Sequence, residues 1–386
     1  MAGTVRHPID IQALEHYITQ NVPEIKVPLD VKQFGFGQSN PTYQLTSADN
    51  TKYVLRKKPA GKLLSQAAHK VEREHRIISA LQSSDVPVPR AYCLCKDPAV
   101  LGTPFYVMSF VGGRIFEDAA MPGAASAAER GQLWRAAVEA LAALHRVDPD
   151  AVGLASFGKR TGFYDRQLAT WRQICDAQAR TRDVESGEPV GAIPHMEELM
   201  TFFSDKALRP LDRATLVHGD YKIDNVVFAA TEPRVAGILD WEMSTIGHPL
   251  SDLANLLHPF YSATMSSPSS SISSDKDALA AISNPGFLPG ATPGLPDPAA
   301  VIQWYAAAAG WTPRPDEVAW ACAFSVFRLA AICQGIAARV ATRQASSANA
   351  RKHAAAMRPL GEFAWQLVQR EQGKRNARGV SRETKL

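Results

Sequence analysis

The sequence predicts an α+β fold in two lobes, a small antiparallel-sheet lobe over residues 1–110 and a larger helical lobe over residues 111–386. Three observations carry the prediction. Strand-type runs punctuated by turn residues crowd the first hundred or so residues. From about residue 126 onward, apolar residues recur at helical spacing instead. A chain of 386 residues is also too long for one minimal core.

In the first lobe, "VKQFGFGQSNPTYQL" places a Gly-rich turn before a strand, and "YQLTSADNTKYVLRKK" holds two β-type runs around Asp49-Asn50, a hairpin signal. "SQAAHKVEREHRIISAL" follows, with Val71, His75, Ile78 and Leu81 at helical spacing. "PFYVMSFV" is a compact apolar run suited to a buried strand and closed by Gly112-Gly113. In the second lobe, Ser126 and Glu129 have capping-box spacing, and Leu133, Ala137, Leu141 and Leu144 line the helix behind them. More helix is expected over 163–183 and 195–208, with short strands near 215–218, 226–229 and 235–240. Residues 262–298, rich in Ser, Pro and Gly, predict a long loop, and two long helices are expected at about 317–343 and 347–372.

Composition excludes several classes. With 46% hydrophobic and 21% charged residues, the chain has an ordinary globular balance and not a disordered one. Its net charge of +4 is too mild to indicate nucleic acid, and part of it sits in a basic tail, Lys374, Arg375, Arg378, Arg382 and Lys385. No uninterrupted apolar run approaches the roughly 18 residues of a membrane span. A cytoplasmic location is the expectation; the terminal Thr-Lys-Leu, a near miss to the Ser-Lys-Leu peroxisomal address, gives the alternative. Five scattered cysteines fit a reducing compartment. Cys93 and Cys95 share a strand face, but no second pair accompanies them at zinc-site spacing.

The chemistry concentrates in "VHGDYKIDN", residues 217–225, and in "ILDWE" fifteen residues later. Upstream, in order, stand a Gly-rich hairpin, a basic residue on the next strand and an acid on the following helix. Phosphoryl transfer needs this series of parts, because its metaphosphate-like transition state asks for positioning and charge neutralisation above all. Gly35, Gly37, Gln38, Ser39 and Asn40 offer backbone N–H groups to nucleotide phosphates, although such a hairpin alone is more often an ordinary turn. Arg56 in "YVLRKK" stands where a phosphate-clamping lysine is found in V-A-I-K; Glu74, with Glu72 in reserve, is the acid to hold it. Asp220 is the candidate base, and Lys222 would neutralise the transferring phosphoryl group. Asn225 and Asp240 bring hard oxygen ligands suited to Mg²⁺. His218 reads as a structural partner of the loop, and Asp224 as a turn acid.

Asp240 is followed by "WEMSTIGHPLSDLANLL", with no A-P-E motif and no room for a peptide-docking segment, so a small-molecule hydroxyl acceptor is expected. "HGDYKIDN", "ILDWE" and "HPLSDLANLL" resemble the aminoglycoside phosphotransferase superfamily, which has a protein-kinase-like fold. More narrowly, "FGQSNPTYQL", "YVLRKKPAGKLLSQAAHKVEREHRIISAL", "LHRVDPDAVGLASFGK" and "FRLAAICQGIAAR" resemble the kinase domain of acyl-CoA dehydrogenase family members ten and eleven. That resemblance implies ATP, Mg²⁺ and a hydroxylated acceptor such as a 4-hydroxyacyl-CoA. It implies Asp220 as base, Asn225 and Asp240 as metal ligands, Asp252 as the acid supporting the catalytic loop, and adenine near Met108, Phe110 and Val111. The chain departs from the pattern at Arg56, which replaces the more usual lysine, and at Ser109, where an acid is expected.

Two acceptor classes compete. A CoA ester would suit basic residues such as Lys159, Arg160, Arg166 and Arg172, whereas a polycationic aminoglycoside would suit the acids Asp183, Glu185, Glu188, Glu197 and Glu198. Choline-like and sugar acceptors are further alternatives, as is a nucleotide-binding pseudokinase scaffold. The complete set Asp220, Asn225 and Asp240 favours catalysis over the scaffold. Arg328, alone in an apolar helix, calls for a partner.

Overall fold

The computed structural model describes residues 2–35, 40–59, 70–266, 282–345 and 349–383. In chain order the first elements are β1 (Ala2–Gly3), α1 (Ile11–Asn21), β2 (Asp30–Phe34), β3 (Thr42–Thr46), β4 (Lys52–Lys57), α2 (Val71–Leu81), β5 (Ala91–Cys95), α3 (Pro98–Leu101) and β6 (Phe105–Ser109). Then come α4 (Ala127–Arg146), α5 (Phe163–Ala179), α6 (Met196–Ser204), β7 (Thr215–Val217), β8 (Val226–Phe228), β9 (Val235–Ile238) and β10 (Thr245–Gly247). The last helices are α7 (Leu250–Ser262), α8 (Pro298–Ala309), α9 (Pro315–Ala341), α10 (Ala350–Ala355) and α11 (Met357–Glu383).

Contacts divide the chain into two compact units. One comprises residues 1–117, 146–157 and 218–245; the other comprises 118–145, 158–217 and 246–386. The loop that begins at His218 therefore groups with the N-terminal sheet.

In the first unit, six strands form one sheet in the order β1-β2-β3-β4-β6-β5, every pairing antiparallel. The expected hairpin joins β3 to β4, with Asn50 at φ 64° and the Asp49 carboxylate accepting from Ser47 Oγ and from the Thr51 N–H. Strand alternation decides what each face carries. Tyr43, Leu45, Tyr53, Leu55, Phe105 and Val107 share one core cluster with Leu14 and Ile18 of α1. The alternate residues of β4 and β6 pair Arg56 with Tyr106 and Val54 with Met108 on the other face. That alternation aims a charged side chain into the interior.

The strand-rich reading of the first hundred residues missed α1. Its signal is local: Asp10 caps it by accepting from the Ala13 N–H at 2.9 Å, and Leu14 and Ile18 are one turn apart and fully buried. On α2 the buried stripe runs Val71, Glu74, Ile77, Ile78 and Leu81. The expected His75 is only half-buried, and a glutamate occupies the seam.

In the second unit, Ser126 Oγ accepts the Glu129 N–H at 3.1 Å as expected of a cap, the Glu129 carboxylate accepts the Ala125 N–H, and Leu133, Ala137, Leu141 and Leu144 are fully buried. Residues 267–281 of the predicted 262–298 loop lie outside the described residues; at its far end α8 starts, capped by Asp297 with Pro298 in the first turn and closed by Gly310 at φ 66°. The second closing helix is two, α10 and α11. Among the described residues, α9 alone is long and apolar enough to cross a membrane, and most of it is buried within the protein. No three metal-ligating side chains cluster among the described residues, and all five cysteines are free.

Candidate active site

The β8–β9 hairpin explains the spacing of the two quoted stretches. Val226 pairs with Ile238, and one step beyond the ladder the Leu239 N–H donates to the Asn225 carbonyl at 2.8 Å. Antiparallel pairing thus sets Asn225, at the start of β8, opposite the residue before Asp240, at the end of β9. Ile223–Asn225 and Trp241–Met243 are single 3₁₀ turns at these two ends.

His218 is fully buried and works on the backbone. Its Nε2 bonds the Leu239 carbonyl at 2.8 Å, and its Nδ1 accepts the Asp220 N–H at 3.3 Å. Both ring nitrogens are therefore engaged with backbone groups. Between His218 and Asp220, Gly219 stands at φ 87°; a Cβ there would meet the Met243 carbonyl at 2.5 Å. Sequence reasoning passed over this glycine, although its place between His and Asp was a visible signal.

The Asp220 and Lys222 side chains keep 41% and 43% of their surface exposed, open enough to meet a reactant. Asn225 Nδ2 donates to the Asp220 carbonyl at 2.9 Å and to Asp220 Oδ2 at 3.1 Å. With both amide protons so directed, Asn225 Oδ1 is the atom able to hold a cation. Surrounding protein pushes the Asp220 carboxyl above the usual range; Lys222 and His218 pull it down, and Asp240 adds to the rise. Lys222 Nζ lies 3.7 Å from Asp220 Oδ2 and 3.0 Å from Asp224 Oδ2. Asp224, a turn acid by sequence, is therefore the ion-pair partner that holds the lysine. Desolvation opposes the Lys222 charge, but Asp220 and Asp224 outweigh it and raise its pKa.

A second cluster adjoins the first. Arg56 Nη1 lies 3.0 Å from Glu74 Oε2 and 3.1 Å from Asp240 Oδ1, and Nη2 lies 3.7 Å from Glu242 Oε2. Glu74 also accepts from Asn40 Nδ2 at 3.0 Å and from the Tyr106 hydroxyl at 2.9 Å. Burial pushes the Glu74 carboxyl up to about 7, against the pull of Arg56 and the Tyr106 hydroxyl. Burial opposes the Arg56 charge as well, yet Glu74, Tyr106 and Asp240 outweigh it and raise its pKa. One guanidinium facing three carboxylates leaves an excess of negative charge that a divalent cation would relieve. The hard oxygens of Asp240 and Asn225 are donors suited to Mg²⁺.

The other predicted residues divide. Glu74 is the acid on Arg56; Glu72, the reserve, pairs with Lys58 at 3.8 Å. The Asn40 side chain is fully buried on Glu74, which leaves its backbone N–H, the group considered for phosphate, as the part of the residue available to a nucleotide. Gly37, Gln38 and Ser39 lie outside the described residues, while Gly35 has open space where a side chain would stand. Met108 is buried in β6, Phe110 donates its N–H to the Lys52 carbonyl at 3.3 Å, and Val111 packs where a Cβ on Gly237 would stand. Ser109, in place of an acid, accepts the Arg90 N–H on Oγ at 2.9 Å. In the second unit, Asp252 is fully buried and its Oδ2 lies 3.3 Å from His145 Nε2, whose Nδ1 lies 2.7 Å from the Tyr305 hydroxyl. Arg328 is near enough to Tyr164 to oppose the upward push of burial on that phenol.

Residues 30–271, more than half of the chain, match the APH phosphotransferase enzyme family. The chain belongs to this family. It is 37% identical over 95% of its length to acyl-CoA dehydrogenase family member 11 of Rattus norvegicus, and 37% identical over 89% to family member 10 of Mus musculus. The chain spans less than half of these relatives, 44% of the first and 30% of the second. Among solved structures, a provisionally assigned aminoglycoside phosphotransferase from Ralstonia eutropha is 35% identical, with a TM-score of 0.76 over 94% of this chain and 99% of that one. At 16% identity, a streptomycin–ATP complex of APH(2")-IIa shares the fold, with a TM-score of 0.55 over 85% of this chain and 91% of that one. The protein-kinase-like fold and membership of the phosphotransferase family therefore stand as the resemblance implied.

Proposed function

We propose that the protein transfers a phosphoryl group from ATP, with Mg²⁺, to a hydroxyl of a small molecule, and that the acceptor is a hydroxyacyl-CoA. One observation carries the reading: a half-open Asp220 carboxylate held by Asn225 at 3.1 Å, beside Lys222 and on the hairpin whose far end carries Asp240. Asp220 orients the acceptor hydroxyl and takes its proton as the new O–P bond forms and the bond to the leaving phosphate breaks. Lys222, steadied by Asp224, offsets charge on the transferring group. Asn225 Oδ1 and the Asp240 carboxylate would hold Mg²⁺, which when bound neutralises phosphate charge. Arg56 clamps the phosphates from its seat on Glu74.

The acceptor class has separate support. Three of the five acids suited to a polycation are engaged locally. Glu197 binds Arg172, at 2.8 Å from Nη2; Glu185 pairs with Arg343; Asp183 caps the N–H groups of Glu185 and Ser186. Arg172, engaged by Glu197, drops from the residues considered for CoA phosphates, and exposed Lys159 and Arg160 are kept. The relatives' names point to acyl-CoA chemistry.

The test is a screen of hydroxyacyl-CoAs, aminoglycosides, choline and sugars for phosphorylation by the purified protein, with ATP or GTP, with and without Mg²⁺. Transfer to hydroxyacyl-CoAs, abolished by chelation, is expected. Transfer to aminoglycosides alone would reverse the acceptor assignment. Nucleotide binding without any transfer would favour the scaffold.

A further inference from the structure

We infer that Arg73 is a positioning residue for the Asp240 carboxylate, acting through the turn that follows it. The inference rests on the proposed role of Asp240 as a cation ligand. Helix α2 delivers two neighbouring side chains to opposite ends of residues 240–245. At the entrance, Glu74 holds Arg56, whose Nη1 lies 3.1 Å from Asp240 Oδ1. At the exit, Arg73 donates to the Ser244 carbonyl from Nε at 3.3 Å and from Nη2 at 3.2 Å, and Nη2 also reaches Thr245 Oγ1 at 3.4 Å. The same group bonds the Phe157 carbonyl, and its guanidinium carbon lies 3.8 Å from the centroid of the Phe157 ring. A planar fork does both tasks at once, gripping a carbonyl with two N–H groups while stacking on an aromatic face.

The turn needs holding because Asp240 stands at φ 65° and ψ 61°. For a residue other than glycine this left-handed state is uncommon and persists where its surroundings over-determine it. Inside the turn, Trp241 Nε1 donates to the Ile238 carbonyl at 2.9 Å and Ser244 Oγ to the Trp241 carbonyl at 2.7 Å. Arg73 fixes the remaining end. Freeing the Ser244 carbonyl lets the Trp241–Met243 turn loosen and Asp240 relax toward an ordinary φ, carrying its carboxylate off the cation position. Outer contacts of this kind alter metal affinity by about 10–100-fold.

The test measures the rise in melting temperature given by a non-hydrolysable ATP analogue, first in EDTA and then across a Mg²⁺ titration. Arg73→Ala and Arg73→Lys should each raise the half-saturating Mg²⁺ about tenfold while leaving binding in EDTA unchanged. Arg76→Ala is the control. Arg76 lies on the same helix, bonds Ser156 Oγ at 2.9 Å and sits 5.8 Å from the same Phe157 ring. It should keep the wild-type Mg²⁺ response. An unchanged Mg²⁺ requirement in Arg73→Ala, or an equal shift in Arg76→Ala, overturns the inference alone. A wild-type protein with no Mg²⁺-dependent nucleotide response overturns the cation reading and this inference together.

Discussion

Two segments of the chain begin alike and end with opposite chemistry. In "HGD", His218 bonds the Leu239 carbonyl through Nε2 and receives the Asp220 N–H on Nδ1. In "HPLSD", His248 bonds the Leu211 carbonyl through Nε2 at 3.0 Å and receives the Leu250 N–H on Nδ1 at 3.2 Å. Both rings are buried, and both tie a distant carbonyl to the N–H two residues ahead. The aspartates that follow differ. Asp220 is 41% exposed and Asp252 is fully buried against His145. The same residue types thus build one open edge and one buried post, and exposure separates them.

Asp220→Asn is the strongest test of that division. It should lower kcat by about 10³-fold, within the range of general-base catalysis, while the melting temperature hardly moves. Equal losses in rate and melting temperature would erase the distinction. Asp252→Ala should do the converse in urea unfolding and destabilise by about 1–3 kcal/mol, because it leaves the buried His145 Nε2 without this hydrogen-bond partner. A loss below about 1 kcal/mol would make Asp252 an ordinary helix residue.

His248 sharpens the comparison through pH. Burial lowers its pKa to about 4, from 6.5 in the unfolded chain, so below neutrality the unfolded chain binds the proton that the fold refuses. Stability is full above about 6.5 and falls as pH drops toward about 4. At pH 5 the group should remove about 2 kcal/mol, read as the difference in unfolding free energy between pH 7 and pH 5 for wild type against His248→Asn. Identical pH slopes in the two proteins would remove burial as the cause.

Much of the site was legible because its parts are local or periodic. H-x-D and the asparagine five residues after Asp220 lie on one loop, and a hairpin register of a dozen residues returns Asp240 to it. Glu74 was also readable, as the acid standing on the apolar seam of α2 between Val71 and Ile78. Other contacts had no such signature. Arg56 and Asp240 are 184 positions apart, and Arg73 is 171 from Ser244. Asn40 was read only for its backbone N–H beside a Gly-rich turn, and nothing in the sequence showed that its side-chain amide serves Glu74. Lys222 and Asp224 are two residues apart, close enough to have been paired by reading alone.

The sequence by itself determined the kind of chemistry and the order of its parts. It set the identities of the candidate base, cation ligands and phosphate clamp, and strand period two fixed which face of β4 would carry Arg56. Only the tertiary structure decided which acids are exposed and which charges face each other. Those outcomes depend on burial and on distances between remote positions, and burial is a property of neighbours that no local pattern names. Asp220 and Asp252 are the same residue in sequence; the packing around each makes one an open acid and the other a buried support.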